Sequence, residues 1–124
     1  MVVDKAKQRI KRHTISFKSA FSGIFWAVKT QPNFIVHFTA AAVVLILALI
    51  FGLTVLEITI LVLAIVLVLT AEMINTAIEA TTDLLSPQYS EAAKIAKDVS
   101  AGMVLVASVG AVVLAVLIFL PEIL

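Results

Sequence analysis

The chain has 124 residues, of which 62% are hydrophobic and 14% charged, with a mean hydropathy of +1.16 and a formal net charge of +1. A soluble domain carries about 45–50% apolar and about 25% charged residues, so this composition excludes one and predicts an all-α polytopic membrane protein. Cysteine is absent, which excludes disulfides, thiolate metal sites and cysteine nucleophiles, and no nucleic-acid partner is expected.

The first residues are basic but polar, without the apolar core and small-residue cleavage site of a secretory signal peptide. Residues 4–29 read instead as an amphipathic helix on the membrane surface. Ile10, Phe17, Phe21, Ile24 and Val28 recur at spacings of seven, four, three and four, with Phe25 beside them. Lys7, Lys11 and Lys18 fall on other faces, the pattern of a segment held at an anionic leaflet. Arg12 has a second possible use, because a guanidinium binds phosphate oxygens in a fork.

Thr30-Gln31-Pro32-Asn33 forms the corner into the first membrane span. Proline disfavours helix at the residue before it and suits the first helical position after it. Three apolar runs are long enough to cross: Phe34–Leu53, Ile58 to about Ala77, and Val99–Leu120. Each approaches the ~20 residues that a ~30 Å hydrocarbon core requires. With their polar extensions they predict helices over 34–53, 58–83 and 90–120 of a single domain, residues 1–124. Ser86-Pro87 reads as an N-cap followed by proline at the first position of the last helix. All nine Lys and Arg residues fall before the first span or between the second and third. The positive-inside rule then puts the N-terminus in the cytoplasm.

The second span turns polar where it meets that side. Glu72, Asn75, Glu79 and Asp83 lie three and four apart, so they share one stripe about 16 Å long at about 1.5 Å per residue. A carboxylate at mid-bilayer costs about 2.5–3.5 kcal/mol on insertion scales, which makes the stripe a functional candidate rather than a wet helix end. Counting inward from Ile58 puts Glu72 below the headgroups, Glu79 at the interface and Asp83 in water. Lys94, Lys97 and Asp98 open the next helix at the same level and are expected to join this site. His37 reads as a group hydrogen-bonded at the interface. No Gly-x-x-x-x-Gly-Lys-Ser/Thr run exists, so a nucleotide site here is not a P-loop.

Glu72-x-x-Asn75-Thr76-Ala77-Ile78-Glu79-x-x-x-Asp83 followed by Ala96-Lys97-Asp98 resembles the bacterial integral-membrane diacylglycerol kinase and undecaprenol kinase family. The likeness extends from Phe17-Lys18-x-Ala20-Phe21-x-Gly23 through Asn33-Phe34-x-x-His37 to the third span. It implies a homotrimer in the bacterial cytoplasmic membrane that transfers the γ-phosphoryl of Mg-ATP to a lipid hydroxyl. By the same resemblance Glu72 is the general base, Glu79 holds Mg²⁺, Asn75 supports the site, and Arg12, Lys97 and Asp98 serve the nucleotide. Asp83 and Lys94 are taken as supporting residues. Gln31 stands where the family usually has a second metal carboxylate, and Ser19 where a tyrosine contacts the nucleotide. An amide oxygen can ligate Mg²⁺ but brings no charge. The Asn33-Phe34-x-x-His37 corner is closer to the undecaprenol branch.

Two other functions fit the bare residues: a catalytically impaired relative that binds lipid or nucleotide, and a small cation-transport subunit. The clustering of charge at one membrane face disfavours transport, which needs polar groups through the whole depth.

Overall fold

The computed structural model describes residues 16–124, and these fold into four α-helices without a strand. They are α1 (Phe17–Thr30), α2 (Pro32–Ile50), α3 (Val55–Leu85) and α4 (Glu91–Ile123). The last three are long and apolar enough to cross a membrane, as expected. Their outer faces are uncovered: in the most apolar window of each, 17% of α2, 28% of α3 and none of α4 is buried. Side chains such as Val62, Leu63, Leu105 and Val106 would be intolerable in water at this exposure and are ordinary against lipid or another protomer.

The helix ends follow local chemistry. Ser16 is the N-cap of α1, with extended backbone and its Oγ accepting from the Ser19 N–H. A continuous helix over 4–29 is therefore corrected at residue 16, and its part before that lies outside the described residues. Phe17, Phe21 and Phe25 stay exposed, while Ala27 is buried on the face turned toward the bundle. Pro32 starts α2 at its first position, with Gln31 extended before it.

The corner after α2 is a Schellman motif: Gly52 N–H donates to the Leu49 carbonyl (3.3 Å) and Leu53 N–H to the Ala48 carbonyl (3.0 Å). Gly52 has φ +68°, and nothing lies within 4 Å of where a Cβ would stand. The cost of a side chain is thus conformational, about 1–2 kcal/mol. Gly52→Ala should lower the thermal unfolding midpoint in detergent without altering turnover of the remaining folded protein. An unchanged midpoint would show that the turn carries no such demand. The motif also draws Leu53 onto Ala48, and with Leu61 these form a small core capped by Ile118 and Phe119. Thr54 and Glu57 then close a capping box, so α3 begins at Val55 rather than 58.

At the other end of α3 the expectation for Ser86 fails. Ser86 is the C-cap of α3, its N–H bonded to the Thr82 carbonyl (2.9 Å), because the following proline bars helical backbone. Ser90 is the true N-cap of α4 and accepts from the Ala93 N–H. The fourth helix runs on through Pro121 to Ile123, and the missing proline N–H leaves the Leu117 carbonyl without its helical donor. α3 packs mainly along α4 and less along α2.

Candidate functional site

One face of α3 makes the site. Leu61, Ala64, Val68 and Ala71 are its buried apolar residues, and the same stripe continues without a break into Glu72, Asn75 and Thr76. The polar groups thus occupy the packed face of the helix rather than its lipid face, where Ile74 is exposed. Exposure rises along the stripe: 1% for Glu72 and 5% for Asn75, intermediate for Glu79, and 67% for the Asp83 side chain. The stripe is thus packed inside the protein at Glu72 and open at Asp83.

Asn75 is the hub. Its Nδ2 donates to Glu79 Oε1 (3.2 Å), and its Oδ1 accepts from Ser100 Oγ (2.7 Å), a buried bond from α4. The two partners fix the amide's orientation, because reversing it would set two acceptor oxygens against each other at Glu79. Glu79 is left with Oε2 unbonded by any side chain of the described residues. Lys97, one turn before Ser100, forms an ion pair with Asp83 and ties α4 to the wet end of the stripe. Being largely exposed, this pair contributes register more than stability.

Two buried oxygens on the stripe have no hydrogen-bond partner: Glu72 Oε2 and Thr76 Oγ1. Thr30, Thr39, Thr59, Thr81 and Thr82 each return their hydroxyl to the carbonyl four residues earlier, the usual solution on an apolar helix. Thr76 does not, and it lies one turn from Glu72. Such unpaired groups cost about 1–3 kcal/mol each, so two of them one turn apart on the packed face make this the costliest part of the stripe to bury. Among the described residues, the group nearest Glu72 Oε2 of opposite potential charge is His37 Nε2 on α2, 3.9 Å away. This is too long for a hydrogen bond.

Lys94, Asp98, Ser19 and Gln31 make no side-chain hydrogen bond to Asn75 or Glu79 among the described residues. Lys94 pairs with Asp98 (2.6 Å) along α4 itself, both about 60% exposed, and neither is bonded to α3. Ser19 is exposed in the cap of α1, with its hydroxyl on Ser16 Oγ. Gln31 is half-buried at the α1–α2 corner, where its backbone N–H bonds the Ala27 carbonyl. Arg12 lies outside the described residues. Among the described residues there is no cluster of three or more His, Asp or Glu side chains that would enclose a metal.

Ser100 and Thr76 were missed by sequence reasoning. Ser100 carries one faint signal, its position three residues after Lys97 and hence on the same face of α4. Ser100→Ala would strand Asn75 Oδ1, and the expected loss is about 1–3 kcal/mol of stability together with slower turnover. Thermal unfolding and turnover measured on the same preparation check this. A variant unchanged in both would remove Ser100 from the network.

The chain matches the family model for prokaryotic diacylglycerol kinase over residues 18–119. It is 39% identical over 111 residues to a diacylglycerol kinase of Synechocystis sp., a match covering 89% of this chain and 63% of that protein. It is 38% identical over 116 residues to an undecaprenol kinase of Bacillus subtilis, covering 94% of each. A polar stripe buried among three spans, joined across two helices, and these matches over nearly the whole length lead to one assignment: the chain belongs to the prokaryotic diacylglycerol kinase family of membrane lipid kinases.

Proposed function

We infer that the protein transfers the γ-phosphoryl of ATP, with Mg²⁺, to the hydroxyl of a membrane lipid. The observation that carries this reading is the Glu72 carboxylate, 1% exposed, with one oxygen unpartnered on the face that three apolar helices enclose. A base at that depth meets a hydroxyl attached to a lipid and not one dissolved in water. Undecaprenol is the preferred acceptor and diacylglycerol the alternative. The Bacillus subtilis undecaprenol kinase supports this choice, since the match covers 94% of it against 63% of the cyanobacterial protein.

In this reading Glu72 takes the proton of the attacking hydroxyl, and Asn75 holds Glu79 in place. The donor set fits a magnesium ion, which prefers oxygen and commonly accepts one or two carboxylates with phosphates and water completing its shell. Glu79 Oε2 and the amide oxygen of Gln31 would hold it, and the ion would neutralise charge on the phosphoryl group in transit. Lys97, Asp98, Ser19 and Arg12 serve the nucleotide. The working unit is a homotrimer in a bacterial cytoplasmic membrane, with the N-terminus in the cytoplasm and the exposed phenylalanines of α1 lying on its surface.

Radiolabelled phosphate should appear in extracted lipid when [γ-³²P]ATP and Mg²⁺ are added to the protein with undecaprenol, and more slowly with diacylglycerol. No label in either lipid would leave a relative that binds without turnover. Gln31→Glu should lower the Mg²⁺ concentration needed for half-maximal rate, each tenfold corresponding to about 1.4 kcal/mol, with little change in lipid preference. Superimposable titrations would take residue 31 away from the metal.

A further inference from the structure

Every transfer of a phosphoryl group to a lipid hydroxyl leaves a proton behind. The lipid O–H bond breaks, the lipid O–P bond forms, and the bond from the γ-phosphorus to the departing nucleotide oxygen breaks. If Glu72 takes the proton, it must lose it again before the next round. The carboxylate is 1% exposed, and its Oε2 has neither a hydrogen-bond partner nor measurable contact with water. Direct exchange with solvent from that oxygen is therefore obstructed by the fold itself.

Among the described residues, His37 is the neighbour that can relieve this. Its Nε2 stands 3.9 Å from Glu72 Oε2, and its side chain is 19% exposed, against 1% for the glutamate. The imidazole thus stands beside the buried oxygen and keeps exposed surface of its own, one helical turn from the polar corner at Asn33. The remaining gap is about 1 Å beyond an ordinary hydrogen bond, which a modest rotation of the ring closes. Histidine is the side chain whose ordinary titration range lets it take up and give back a proton near neutrality. Glu72 is the only carboxylate within 4.0 Å of it among the described residues. On its other side His37 walls an apolar cleft of about 150 Å³ between α2, α3 and α4. There α3 presents Leu61, Val68 and Leu69, and α4 presents Ser108 and alanines, none of which titrates.

We propose that His37 is a proton relay for Glu72, taking the proton from Oε2 on Nε2 after each phosphoryl transfer and passing it to water. The proposal rests on the assignment of Glu72 as base. In sequence, the O–H bond on Glu72 breaks as an N–H bond forms at neutral His37. The imidazolium then releases a proton to solvent and Glu72 is again an anion. His37 acts through Glu72 and takes no part in bond-making at phosphorus.

The relay predicts a division between the first turnover and those that follow. With His37→Ala, the first equivalent of labelled lipid should form at close to the wild-type rate in rapid-quench measurements. The steady-state rate should then fall by about tenfold or more, and added imidazole should restore it. His37→Gln, which keeps a hydrogen-bonding side chain of similar reach but carries no exchangeable charge, should behave as the alanine variant does. Detergent thermal unfolding of both variants shows that the material compared is folded. A glutamine variant with a wild-type steady state would overturn the relay, because hydrogen bonding alone would then suffice. Equal losses in the first and later turnovers would overturn it too, placing His37 in the chemistry or in packing. Unchanged kinetics in both variants, with Glu72→Gln inactive, would remove the relay and leave the base in place. An active Glu72→Gln protein would instead remove the base, and the relay with it.

Discussion

Glu72→Gln should reduce lipid phosphorylation by about 10²–10⁴-fold, the range that a positioned general base supplies. The substitution preserves the length and shape of the side chain and removes only its capacity to accept a proton. Glu72 Oε2 is unpartnered in the interior among the described residues, so the change breaks no hydrogen bond at that oxygen. Taking a charge out of that environment relieves a desolvation cost, so the variant should unfold at the same temperature as the parent or higher. Nucleotide binding, read by a fluorescent ATP analogue, should survive. The combination of lost turnover and undiminished stability separates a chemical role from a structural one. A glutamine variant that keeps within about tenfold of parental turnover would exclude the base assignment.

Glu79→Gln comes second, and its signature differs. The half-maximal Mg²⁺ concentration should rise by about tenfold or more, at about 1.4 kcal/mol per decade, while saturating metal should recover much of the rate. Glu79 presents one oxygen to Asn75 Nδ2 and bonds no other side chain among the described residues, and a glutamine can still offer its amide oxygen to Asn75 or to the metal. Losing the charge weakens the attraction for a dication without dismantling the Ser100–Asn75 link behind it. Nucleotide analogue binding measured with and without Mg²⁺ should lose its metal dependence in step. Identical metal titrations for the two proteins would show that Glu79 is no ligand.

The amino-acid sequence alone determines the membrane class, three spans and the polar stripe, for reasons that are local or one-dimensional. Composition and run length fix how many helices a bilayer accepts, and a three–four spacing on a helix puts Glu72, Asn75 and Glu79 on one side whatever surrounds them. Gln31-Pro32 likewise sets the start of the first span through backbone sterics that need no tertiary partner. Helix ends with two competing serines were beyond this reach. Ser86 and Ser90 are both eligible caps, and the structure places the α4 cap at Ser90, with Ser86 ending α3.

Only the tertiary structure decided which face of α3 is packed, because periodicity assigns residues to a face without saying what that face meets. Ser100 reaches Asn75 from 25 residues away, and its hydroxyl is indistinguishable in the sequence from that of any serine in an apolar helix. Thr76 differs from five other helical threonines in leaving its hydroxyl unbonded while buried, which its packing and not its residue type decides. The approach of His37 to Glu72 depends on how α2 leans against α3, which no spacing within either helix encodes. Charges and helices are inherited from the chain; the approach of a partly exposed imidazole to a buried oxygen exists only once α2 and α3 have packed.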